Sequence, residues 1–212
     1  MTQDGQKNRS GNVNSQMKAG KPASLVLPSG GYQKLKSFQL AQLIFDITVY
    51  FVELYIPVQS RTRDQMVQAA RSGVQNIAEG SIDAATSARL ELNLYNVARA
   101  SLEELKLDYL DYLRQHCCPV WTEDSVLHQD FVSRRISRKA EFKQFIQEAE
   151  KNFPAENFGN VPYKSVLVAH ATLLLISAAT FFLKRQIEGK TRKVLDHGGF
   201  AERMNRMRRE KR

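Results

Sequence analysis

The run Gln65-Met66-Val67-Gln68-Ala69-Ala70-Arg71-Ser72-Gly73-Val74-Gln75-Asn76-Ile77-Ala78-Glu79-Gly80 is helical in composition yet crowded with Ala, Ser and Gly. Small side chains at Ala69, Ala70, Ser72, Gly73 and Ala78 remove the bulk that holds two helix axes apart, while Val74 and Ile77 keep apolar contact. A glycine inside a helix costs roughly 1 kcal/mol against alanine. The sequence therefore predicts a helix pressed closely against its neighbours, with Gly80 as its left-handed C-cap.

Outward from this run, the flanking segments also show helical periodicity. Apolar residues at Leu40, Leu43, Ile44, Ile47, Phe51, Leu54 and Val58 mark one face of a helix over about 33–58, ending near Pro57. The small-residue helix covers 61–80. Ser87 can cap a third helix over 87–114, with Glu91 favourable in its first turn. That helix places Leu94, Ala98, Leu102, Leu105, Tyr109 and Leu113 on one face. Leu92, Leu107 and Leu110 lie off the stripe and suggest a second contact surface.

After the break at Cys117-Cys118-Pro119, Thr122 reads as the cap of a helical segment over about 122–150, in one piece or two. Residues 152–162 read as a loop. A last helix spans 163–188, with Gly189 as its stop. No strand-like alternation occurs, so the expected fold is all-α: an antiparallel up-down four-helix bundle over 32–189, with an extra helical segment before its last helix. Residues 1–31 read as a disordered leader, since they are rich in Gly, Ser, Asn, Gln and Lys around one short apolar patch, Leu25-Val26-Leu27. Residues 190–212 form a basic suffix with a Gly-Gly turn at 198 and 199 and a short helical pattern from Phe200.

The formal charge of +9 is uneven. Residues 184–212 carry Lys184, Arg185, Lys190, Arg192, Lys193, Arg203, Arg206, Arg208, Arg209, Lys211 and Arg212 against four acids, net +7, whereas 32–183 are close to neutral at −1. Basic ends on a neutral body suit RNA, DNA or an acidic protein. These eleven cations are the candidate nucleic-acid-binding residues, with Arg134, Arg135, Arg138 and Lys139 as a secondary basic patch. Arg134-Arg135-Ile136-Ser137 also fits a basophilic kinase pattern, a match short enough to occur by chance.

Gln65, Ala69, Arg71, Ser72 and Asn76-Ile77-Ala78-Glu79-Gly80, followed by Ala100-Ser101-Leu102-Glu103-Glu104-Leu105, resemble bacterial four-helix-bundle proteins encoded in intervening sequences of large-subunit ribosomal RNA genes. That family includes the accessory protein of diversity-generating retroelements. The resemblance covers about 33–115 and 163–188. Trp121 and the tail Gly198-Gly199-Phe200-Ala201-Glu202-Arg203 resemble a subgroup carrying a C-terminal suffix. The resemblance implies a non-enzymatic homo-oligomer, a pentamer, acting on RNA or DNA, with a reverse transcriptase as a protein partner. It also singles out Arg71, Asn76, Glu79 and Gly80 as the family motif, structural or binding. Charge concentrated in the suffix departs from the retroelement pattern.

Other chemistries are weakly signalled. Residues 165–183 contain no Asp, Glu, Lys or Arg and are long enough to cross a bilayer. His170 near their middle and three amphipathic companions favour a buried bundle helix, so a membrane-associated protein is the third reading. The second is a protein-interaction scaffold whose tail binds an acidic partner. His116, Cys117, Cys118 and His128 lack the spacing of a zinc site. Glu53, Glu79, Glu103 and Glu104 lack the Glu-x-x-His signature of bundle di-metal sites. No nucleotide loop, nucleophile elbow or metalloprotease pair appears. No enzyme activity, metal, cofactor or small-molecule substrate is therefore expected. Adjacent cysteines and a polar N-terminus without a signal core fit the cytoplasm.

Overall fold

A computed structural model describes residues 31–84, 87–153, 161–197, 204–205 and 208–209. Their secondary structure is helical throughout. A 3-10 turn (Tyr32–Lys34) leads into α1 (Lys36–Tyr55), followed by α2 (Arg61–Asp83), α3 (Ala88–Gln115), α4 (Val126–Arg134), α5 (Lys139–Asn152) and α6 (Tyr163–His197). The four long helices pack in a ring: α1 on α2, α2 on α3, α3 on α6 and α6 on α1. The short helices α4 and α5 lie against α6.

The most extensive packing joins α2 to α3, and small residues make it possible. A Cβ at Gly73 would stand 2.9 Å from Leu102 Cδ2, and one at Gly80 would stand 2.8 Å from Tyr95 Cε1 and 3.2 Å from the Glu91 carbonyl oxygen. Ser72 and Ser101 hydroxyls meet at 2.9 Å across the same seam. Asn76 Nδ2 donates to the Ser72 carbonyl at 2.9 Å and to its Oγ at 3.1 Å.

Gly80 therefore has a different role from the one its position suggests. The helix runs through it to Asp83, and Gly31 is the only described glycine at positive φ. What requires a glycine at 80 is the approach of α3, not a cap. Ser87 does cap α3, accepting from the Leu90 N–H at 3.2 Å. The 122–150 segment is two helices: Ser125, not Thr122, accepts at the start of α4, and the break falls at Arg135–Arg138.

The core has a large cluster, in which Phe51, Tyr109, Phe145 and Leu167 are fully enclosed, and a smaller one of Phe38, Ala41, Ile77, Tyr95, Ala98 and Leu183. On α1 the expected face holds from Leu40 to Phe51; Leu54 in the last turn is exposed, and so is Val58, which lies beyond the end of the helix at Tyr55. On α3, Tyr95 takes the buried place expected of Leu94, which is half-buried. The off-stripe leucines divide: Leu107 is 63% exposed, whereas Leu110 packs against the large cluster.

Both α1 and α6 are long and apolar enough to cross a membrane, and more than half of each apolar window is buried inside the protein. The polar side chains of the charge-free stretch 165–183 are hydrogen-bonded within the protein. Thr172 donates to the Val168 carbonyl at 2.7 Å and Ser177 to that of Leu173 at 3.0 Å. His170 Nδ1 and Nε2 lie 2.8 Å and 3.0 Å from the Val166 and Pro119 carbonyl oxygens. Its ring stacks on Trp121 at 4.7 Å, 6° from parallel. Burial holds the His170 pKa below its ordinary value, against the pull of the two carbonyls. The Trp121 region thus closes one side of the core over α6.

Candidate nucleic-acid interface

The C-terminal half of α6 begins as a core element and ends as an exposed one. Leu183 and Ile187 pack into the smaller cluster, and Ser37 Oγ donates to Gln186 Oε1 at 2.9 Å, holding α6 to α1. The helix does not stop at Gly189. One residue later, Lys190 Nζ lies 2.6 Å from Glu91 Oε1, on a carboxylate that also accepts from Tyr95 Oη at 3.1 Å. Past this clasp, Thr191, Arg192, Lys193, Leu195 and Asp196 are exposed, so the helix continues as a basic projection.

Lys190 is accordingly unlike the other cations of the suffix: its charge is spent on a buried carboxylate. Lys184, Arg185, Arg192 and Lys193 are exposed, as are Arg208 and Arg209. Arg203, Arg206, Lys211 and Arg212, with the Gly-Gly turn and Phe200, lie outside the described residues, as do residues 1–30 and their apolar patch.

On the bundle side, Arg99 and Lys106 of α3 share a shallow recess of about 190 Å3 with Thr180, Phe181 and Lys184 of α6. Phe181 is 54% exposed, and the Arg185 guanidinium sits 5.8 Å from its ring centroid. Arg99 and Lys106 escaped the sequence reading because α3 has nearly balanced charge. Their spacing of seven residues, which puts both on one helical stripe, was the available signal. Lys106 also faces Glu103 at 3.8 Å.

The secondary patch does not come together as one surface. Arg134 is held by Asp130 at 2.7 Å and Glu148 at 2.6 Å, with its guanidinium 5.4 Å from the Phe145 centroid. Those hydrogen bonds push its pKa still further up. Arg135 lines a recess with α1 and α6, Arg138 faces Glu141 at 3.9 Å, and Lys139 lines a second recess beside Lys143 and Lys164.

Of the motif on α2, Arg71 and Glu79 are exposed, while Asn76 is half-buried in the serine seam and Gly80 is buried. Arg71 is in no ion pair among the described residues, and Glu103 pairs with Lys106. Cys117 is exposed at φ 55°, and buried Cys118 directs its Sγ to the His116 carbonyl at 3.4 Å. Among the described residues no three His, Cys, Asp or Glu side chains gather as a metal site.

Comparison of the chain with protein-family models, curated proteins and solved structures gave no match.

Proposed function

We propose that the chain is a non-enzymatic nucleic-acid-binding protein of the bacterial cytoplasm, built on an antiparallel up-down four-helix bundle of α1, α2, α3 and α6. The cyclic packing of these four helices supports the bundle. The single observation behind the binding role is the exposed end of α6. There Lys184, Arg185, Arg192 and Lys193 stand in solvent, and Arg99 of α3 adds a cation beside them. Phosphate contacts of this kind are sequence-independent and weaken steeply with salt.

Self-association accompanies this reading. Leu90 and Val97, seven residues apart on α3, and Leu107 further along it leave apolar surface uncovered. A homopentamer, and a link to ribosomal RNA or to a reverse transcriptase, rest on the family resemblance alone.

The test is titration of labelled RNA and duplex DNA at two salt concentrations. Full-length protein is compared with a form ending at Lys190, which retains the clasp to Glu91. The expected result is salt-sensitive binding that falls strongly on truncation. Equal binding by both forms moves the site onto the bundle. No binding by either refutes the reading in favour of a scaffold whose tail meets an acidic protein.

A further inference from the structure

The recess that Arg135 lines, of about 770 Å3, opens between the start of α1, the end of α4 and the middle of α6. Leu40, Phe131, Ile136, Leu174 and Phe182 give it apolar walls, while Lys36 and Arg135 are its charged lining residues, with no carboxylate among those described. Neither cation is in an ion pair among the described residues, although Arg134 and Arg138 on either side of Arg135 both are.

Arg135 is also held at a conformational cost. It ends α4 at φ 50° and ψ 45°, the left-handed region where glycine is the unstrained residue of a helix end. Arg135 is exposed at the mouth of the recess, and this backbone conformation fixes where its side chain starts. The recess volume lies within the range of roughly 300–1,000 Å3 common to small-molecule sites.

We propose that this recess binds a free long-chain fatty acid, with the hydrocarbon chain against Leu40, Phe131, Leu174 and Phe182 and the carboxylate between Lys36 and Arg135. Concave apolar walls bury a flexible chain, and two unpaired cations neutralise one anionic head. A neutral alkyl chain would contact the walls alone and gain nothing from the two cations, which are exposed at the mouth of the recess.

The experiment titrates full-length protein with cis-parinaric acid, a fluorescent fatty acid, and displaces it with palmitate or with cetyl alcohol. Saturable binding is expected, with palmitate displacing at least about tenfold better than the alcohol, equivalent to one charge-assisted contact. Arg135→Gly removes the charge and relieves the left-handed backbone, so it should weaken binding about tenfold while leaving the melting temperature equal or higher. Lys36→Gln should weaken binding similarly. Ala178→Trp, which fills the recess from α6, should abolish binding with the helical circular dichroism intact. Absence of saturable binding, equal displacement by acid and alcohol, or unchanged affinity in Arg135→Gly each overturns the proposal; the last readout stands even if Ala178→Trp fails to fold.

Discussion

Lys190 and Glu91, ninety-nine positions apart, form a 2.6 Å ion pair in which the glutamate side chain is 4% exposed and the lysine 37%. The pair joins the first turn of α3 to the point where α6 leaves the body of the protein. With Tyr95 donating to the same carboxylate, Glu91 becomes the anchor of the basic projection.

Removing the lysine leaves that carboxylate buried with one neutral donor. Lys190→Met should therefore destabilise the fold by about 1–3 kcal/mol, less than a fully buried pair because the ammonium is partly solvated. Glu91→Gln should cost less, and the double variant less than the sum of the two. Urea denaturation of the four proteins in a double-mutant cycle measures the coupling.

The two glycines of the α2–α3 seam should respond differently to alanine. At Gly73 the obstacle is the end of the Leu102 side chain, which can turn, and alanine regains roughly 1 kcal/mol of helix propensity. At Gly80 the obstacles include the Tyr95 ring and the Glu91 carbonyl oxygen, which cannot turn away. Gly73→Ala should be close to neutral and Gly80→Ala destabilising, while Gly73→Leu should cost about 1–3 kcal/mol through overpacking. Thermal melts rank the three; an unchanged melting temperature in Gly73→Leu would contradict the packing described.

Asp108 on α3 is a titratable source of instability. Burial, followed by the neighbouring Glu104 and Asp111 charges, pushes its pKa from 3.8 up to about 6, and its Oδ2 has no hydrogen-bond partner. The folded chain binds this proton more tightly than the unfolded chain does. The group's contribution thus favours folding fully below about pH 4 and is lost as pH rises through about 6. Asp108→Asn should raise the melting temperature at pH 7.5 and flatten its dependence between pH 4 and 6. Equal shifts at pH 4 and 7.5 would rule out titration as the cause.

Leu107 and Leu110 separate assembly from folding. Because Leu107 is exposed and Leu110 packs on the core, Leu107→Glu should lower the mass seen by light scattering without loss of helix, whereas Leu110→Glu should lower stability itself. A monomer mass for the unaltered protein at high micromolar concentration would remove self-association from the proposed function.

Much of the helical layout was legible because it follows from local patterns. Apolar residues three and four apart marked α1 and α3, the charge-free apolar run 165–183 marked α6, Ser87 marked the start of α3, and small residues marked α2 as the closely packed helix. The basic character of the C-terminal end was equally legible, being a matter of composition.

The sequence by itself determined that the chain is helical, roughly where its long helices lie, and that its positive charge gathers past residue 184. Tertiary structure alone decided how particular polar and small residues are used. Gly80 and Gly189 both read as helix stops, yet α2 and α6 run through them. A glycine ends a helix only where the chain benefits from the left-handed turn, and here the packing of Tyr95 and the Glu91–Lys190 pair hold the helices onward. Arg134 and Arg135 are adjacent and read alike, but Asp130 and Glu148 neutralise the first while the second faces an apolar recess unpaired. Charge and helical period are properties of short segments. Whether a given charge is free for a ligand depends on carboxylates that only folding brings within about 4 Å.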